Sequence, residues 1–150
     1  MKSLIDYIKE SYIIENNLDN DKVIDFLKAN GKDKKYITGA STNKGQLWLD
    51  ALKNGGIDSK REKTERCSDV RDILKQNGYK EIFAIDGQNK IENADYSKYK
   101  SGDIAHTVSR SDTFGELSMF DGKEWVFGSY SKETPYSIYE PWILKIYRKS

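Results

Sequence analysis

Gly102-Asp103-Ile104, a loop, and then Leu117-Ser118-Met119-Phe120-Asp121-Gly122-Lys123-Glu124-Trp125-Val126 form the stretch on which the fold of this chain is read. Asp121-Gly122 is a strong short-range hairpin signal, because the turn needs a residue that adopts positive φ at little cost. The arm after it alternates with a period of two, which places Trp125 and Phe127 on one face and Val126 on the other. Outward from this hairpin, residues 79–85, 102–108, 116–120, 124–129 and 143–147 are rich in β-formers and bounded by turn residues. They read as strands of an antiparallel sheet.

The first half of the chain reads as helices. Leu4, Ile5, Ile8 and Tyr12 sit at helical spacing. Asp19 or Asn20 caps a second helix with Val23, Ile24, Phe26 and Leu27 as its apolar stripe and Asn30-Gly31 as its end. A loop over 32–42 leads to a third helix that buries Leu47, Trp48, Ala51 and Leu52 and stops at Asn54-Gly55-Gly56. After a charged loop over 58–66, a fourth helix uses Val70, Ile73 and Leu74 and stops at Asn77-Gly78. Helices followed by strands imply an α+β fold. It is expected as one domain over 1–150, mainly helical over 1–78 and mainly strands over 79–150, with 88–101 as its most mobile connection.

Composition excludes several functions. Twenty-five Lys and Arg against 24 Asp and Glu leave a net charge of +1, without the basic excess of a general nucleic-acid binder. No segment approaches the roughly 20 apolar residues that span a bilayer, and charges break every apolar run of the first ten residues, unlike a secretory leader. Neither nucleic acid nor membrane is therefore expected as a partner. A cytoplasmic location is expected, unless a dedicated secretion system or lysis releases the protein. Cys67 and His106 are the sole cysteine and histidine; a single cysteine allows no internal disulfide, and the two make no structural zinc site without carboxylates to complete four ligands. Gly55-Gly56 ends a helix instead of opening one, so no phosphate loop is present. No metal and no cofactor are expected. Asp103 with Asp112, or Glu116 with Asp121, are candidate carboxylate pairs whose spacing defines no geometry.

The helix from Asn43-Lys44-Gly45-Gln46-Leu47-Trp48 to Gly55-Gly56-Ile57 resembles the nucleophile helix of the NlpC/P60 and CHAP amidase families. The segment Asp69 to Ile82, the Gly-Asp-Ile strand, the Met-Phe-Asp-Gly hairpin, Trp125-Val126 and the closing Lys145-Ile146-Tyr147-Arg148 follow in the order of those families. The resemblance covers about residues 20–148 and implies a papain-like architecture. In that family a helix-opening cysteine attacks an amide, a histidine on a later strand is its base, and a third polar residue orients the imidazole. With Gly55-Gly56-Ile57 as anchor, these positions fall on Lys44, Glu116 and Gly128. All three groups are replaced.

The resemblance therefore implies a non-catalytic domain: a binding, inhibitory or immunity-type protein. A protein or peptide partner, or a cell-wall fragment, would sit in a remnant cleft at Lys44, Glu116, Trp125 and Trp48, with Lys44 facing Glu116. The alternative is an active cysteine amidase or peptidase acting on bacterial cell wall or protein. Cys67-Ser68-Asp69-Val70 is similar to other nucleophile helices of the family, and Cys67 would then pair with His106. That alternative requires the two side chains within hydrogen-bond reach, with Cys67 at the start of a helix.

Overall fold

The computed structural model describes residues 18–39 and 41–150; the expected helix around Leu4 to Tyr12 lies outside them. The first two helices each start at a side-chain cap and end at a glycine. In α1 (Asn20–Asn30) the Asp19 carboxylate accepts the Lys22 N–H at 3.2 Å, and in α2 (Lys44–Asn54) the Asn43 side chain accepts the Gln46 N–H at 3.0 Å. These bonds satisfy donors that a helix N-terminus leaves open. Helix α1 buries Val23, Ile24 and Leu27, α2 buries Leu47, Trp48, Leu49, Ala51 and Leu52, and α3 (Cys67–Gln76) buries Cys67, Val70, Ile73 and Leu74. Gly45 lets the first turn of α2 approach the chain entering α3. A Cβ there would stand 2.7 Å from the Arg66 nitrogen, so any larger residue forces the two apart.

Two segments expected as plain loops carry structure. Between α1 and α2, Lys34–Tyr36 forms a 3₁₀ turn and β1 (Ile37–Thr38) pairs with β2 (Ser41–Thr42). The turn is anchored because Tyr36 is buried and its hydroxyl donates to Asp50 at 2.6 Å. Within 88–101 lies a short helix, α4 (Gln88–Asn93), whose Ile91 is fully buried and whose Ile91 carbonyl accepts the Tyr96 hydroxyl at 2.6 Å. One apolar residue in six gives no readable periodicity, and burial supplies what the pattern lacks.

The sheet contains β3 (Tyr79–Asp86), β4 (Ile104–Ser109), β5 (Glu116–Phe120), β6 (Trp125–Val126), β7 (Ser131–Lys132) and β8 (Pro141–Lys149), in the order β3-β8-β4-β5-β6-β7 with every pairing antiparallel. The C-terminal strand thus inserts between β3 and β4. The strand after Asp121-Gly122 is shorter than its β-rich sequence suggests. The Phe127 carbonyl accepts the Trp48 indole N–H at 3.0 Å, and the Phe127 N–H donates to the Tyr130 carbonyl at 3.0 Å, so the chain turns there instead of extending the ladder.

Alternation divides the core between the two sheet faces. Ile104, Leu117, Met119, Val126 and Tyr147 pack against α1, α2 and α3, while Ala105, Phe120, Trp125, Phe127, Leu144 and Ile146 pack with Ile91 and Tyr96. At the start of β4, Asp103 is 1% exposed and receives both arms of the Arg148 guanidinium at 2.8 and 2.7 Å. A buried carboxylate deprived of its cation is a large penalty. Arg148→Met is expected to lower stability by on the order of 3 kcal/mol, read as a shift in urea midpoint with unchanged slope.

Candidate functional site

Three elements meet where α2 begins. Lys44 is the first residue of α2, Glu116 the first of β5, and Gly128 follows the shortened β6. Together with Leu47, Trp48 and Phe127 they line a cavity of about 100 Å³. Lys44, Glu116 and Gly128, which the sequence resemblance singles out, therefore share one cavity. None of them supplies a thiolate or an imidazole.

Their partners differ from the expected pairing. Lys44 does not bond Glu116: its Nζ lies 2.8 Å from Oδ2 of Asp112, in the β4–β5 loop. The other Asp112 oxygen accepts the Gly115 N–H at 3.0 Å. Burial works against the Lys44 charge, but the hydrogen bond and the negative charge of Asp112, with Cys67 and Glu116 adding smaller contributions, outweigh it and hold the ammonium above its ordinary range. Lys44 is therefore a cation at neutral pH and not a nucleophilic amine. Glu116 is 2% exposed and turns toward the segment after β7. Its Oε1 accepts the Ser137 and Ile138 N–H groups, the latter at 3.0 Å, and its Oε2 accepts the Ser137 hydroxyl. Thr107 and Ser118, both fully buried, donate their hydroxyls to the Pro135 carbonyl at 3.3 and 2.9 Å. Residues 135–138 are strapped to β4 and β5 by these side chains.

The remaining candidates fall in different places. Trp48 lines the cavity but is fully buried, with its indole N–H on Phe127. Trp125 is corrected from a cleft residue to a packing residue. It lies on the opposite sheet face, edge-on to Tyr99 at 5.8 Å and tilted against Phe120 at 5.0 Å, and its Nε1 has no hydrogen-bond partner. The period of two puts Trp125 and Val126 on opposite faces, and the helices cover the Val126 face. The carboxylate pairs dissolve as well: Asp103 serves Arg148, Asp112 serves Lys44, and Asp121 accepts the Lys123 and Glu124 N–H groups of its own turn.

The Cys67/His106 dyad does not form. Cys67 opens α3, as the alternative requires, but it is 1% exposed and shares no hydrogen bond with His106. Burial pushes its thiol up to about 12. Lys44 opposes the shift, while Asp112 and Glu116 add to it. His106 Nε2 lies 3.0 Å from the Phe114 carbonyl, with Gly115 packed against the ring. Burial holds this imidazole down to about 4; the Phe114 carbonyl opposes the shift, and Arg71 on α3 adds to it. Thiol and imidazole are thus both neutral at pH 7 and oriented toward other groups. Among the described residues no cluster of His, Cys, Asp or Glu suits a metal ion, and no helix is long and apolar enough to cross a membrane.

The sequence matches no protein-family model and shows no significant similarity to a curated protein. Structure gives a likeness. One chain of the crystal structure of the type VI native effector-immunity complex Tae3-Tai3 from Ralstonia pickettii superposes with a TM-score of 0.57 at 17% identity, over 87% of this chain and 98% of that chain. The two share a fold. At that identity the likeness carries no residue roles.

The sequence offers Asp112 as a carboxylate partner of Asp103 and not as the counter-ion of Lys44. Asp112 lies 68 positions from Lys44, and no spacing rule links a helix start to a distant hairpin loop.

Two measurements check these assignments. Cys67 in the native protein is expected to resist iodoacetamide between pH 5 and 9 and to react at the ordinary thiol rate once unfolded; fast native labelling with a midpoint below about 8.5 would restore the dyad. The His106 pKa near 4 lies below the ordinary value of 6.5. The unfolded chain therefore takes up a proton below pH 6.5 that the folded chain refuses until about pH 4. This contribution to stability is complete above pH 6.5 and falls away toward pH 4, on the order of 3 kcal/mol. His106→Gln is expected to remove that part of the pH dependence in parallel denaturation curves.

Proposed function

We propose that this chain is a non-catalytic domain of papain-like architecture that works as an immunity-type binding protein with a protein partner. The observation that carries this reading is the state of the cavity at α2. The helix-opening position holds a lysine paired with Asp112, and the base position holds a carboxylate whose oxygens are bound to Ser137 and Ile138. Amide cleavage by a thiolate needs a low-pKa cysteine and a base within about 3 Å, and the sole thiol is buried and held near 12.

Scale separates the candidate partners. Small-molecule sites span about 300–1,000 Å³, whereas this cavity holds about 100 Å³. A cell-wall fragment with a sugar and a stem peptide does not fit there; a single side chain of a protein surface does. The shared fold with a chain of an effector-immunity complex supports the same class of role, in which a protein is the ligand.

Turnover is the test. Purified protein incubated with peptidoglycan sacculi or muropeptides is expected to release no new peptide ends. Targeting it to the periplasm of a bacterial host is expected to leave the cells intact. Lysis or product release that disappears in Cys67→Ala would overturn the reading in favour of an active amidase.

A further inference from the structure

A second concavity, of about 420 Å³, shares no residue with the cavity at α2. Gln88, Ser109, Arg110, Ser111, Glu140 and Trp142 line it. Glu140 is the one non-glycine residue with positive φ among those described, at 53°, and it directly precedes Pro141. A bulky residue is disfavoured in that region, and a following proline disfavours helical conformations further, so the surroundings must impose it. They do so from both sides: Glu116 holds the Ile138 N–H, and Pro141 begins β8 opposite Ser109.

Because its ends are fixed, this short segment displays two large aromatic side chains that a slack loop would fold away. Tyr139 is 84% exposed and Trp142 44% exposed. The Arg110 guanidinium lies over the Trp142 ring, 5.4 Å from its centroid. Neither Arg110 nor Glu140 has an ion-pair partner among the described residues, although both line the same groove. Opposite charges left apart in one groove remain open to a ligand that carries both signs. Trp, Tyr and Arg are also the residue types that concentrate binding energy in protein interfaces, and stacking on Trp142 orders Arg110 before any partner arrives.

We infer that Arg110, Glu140 and Trp142 form a docking groove, with the exposed Tyr139 adjacent in sequence, for a protein segment in which an apolar side chain is flanked by an acid and a base. The acid pairs with Arg110, the base with Glu140, and the apolar side chain covers Trp142. The groove goes beyond the reading of the α2 cavity and does not depend on whether that cavity is catalytic.

The test uses the blocked peptide acetyl-Ala-Lys-Leu-Glu-Ala-amide and its neutral counterpart with Gln at both charged positions, titrated into ¹⁵N-labelled protein. The charged peptide is expected to shift the Trp142 indole and the Gln88 and Ser111 amides saturably, with the neutral peptide about tenfold weaker. Arg110→Glu is expected to abolish the shifts while leaving the rest of the spectrum in place. Glu140→Gly, which relieves the left-handed strain, is expected to raise the melting temperature and weaken the charged peptide. Equal shifts from both peptides, shifts elsewhere only, no shifts, or an Arg110→Glu protein that still binds would each overturn the docking groove.

Discussion

The carboxylate of Glu116 organises the region on which function depends. A charge taken out of water costs several kcal/mol unless its oxygens are bonded. Glu116, 2% exposed, meets that demand with the N–H groups of Ser137 and Ile138 and the Ser137 hydroxyl. The segment after β7 must lie across β5 for these bonds to exist, and the Thr107 and Ser118 hydroxyls on Pro135 hold it there. One wall of the α2 cavity and the display of Tyr139 and Trp142 are consequences of the same constraint.

Lys44 follows from this arrangement. With Glu116 turned toward the strap, the ammonium at the head of α2 finds its counter-charge in Asp112, whose second oxygen closes the β4–β5 loop on Gly115. The loop also receives His106 through the Phe114 carbonyl. Lys44, Glu116 and His106 are thus each tied into hairpin or strap geometry. The lysine and the glutamate each bind a separate partner.

Much of the architecture could be read along the chain. The cap at Asp19 or Asn20, the stops at Asn30-Gly31 and Asn54-Gly55-Gly56, and the Asp121-Gly122 turn are local signals, and local signals act through neighbours in sequence. The two-residue period placed Trp125 and Phe127 opposite Val126, in agreement with the two core clusters. The placement of Trp125 in the cleft, implied by the resemblance, does not hold, since the period assigns faces without saying which face the helices cover. Helix α4 and strand β7 have no sequence signature, because six and two residues are too short for a period, and the tertiary contacts of Ile91 and Phe127 create them.

The sequence by itself determined the α+β class and the antiparallel sheet. These rest on periodicity and on turn residues, whose physics is confined to a few consecutive peptides. Only the tertiary structure decided that Lys44 binds Asp112, that Glu116 clamps Ser137 and Ile138, and that Cys67 and His106 are separately buried and neutral. Those outcomes depend on desolvation and on charges brought together from distant parts of the chain. Neither quantity exists until the core has formed.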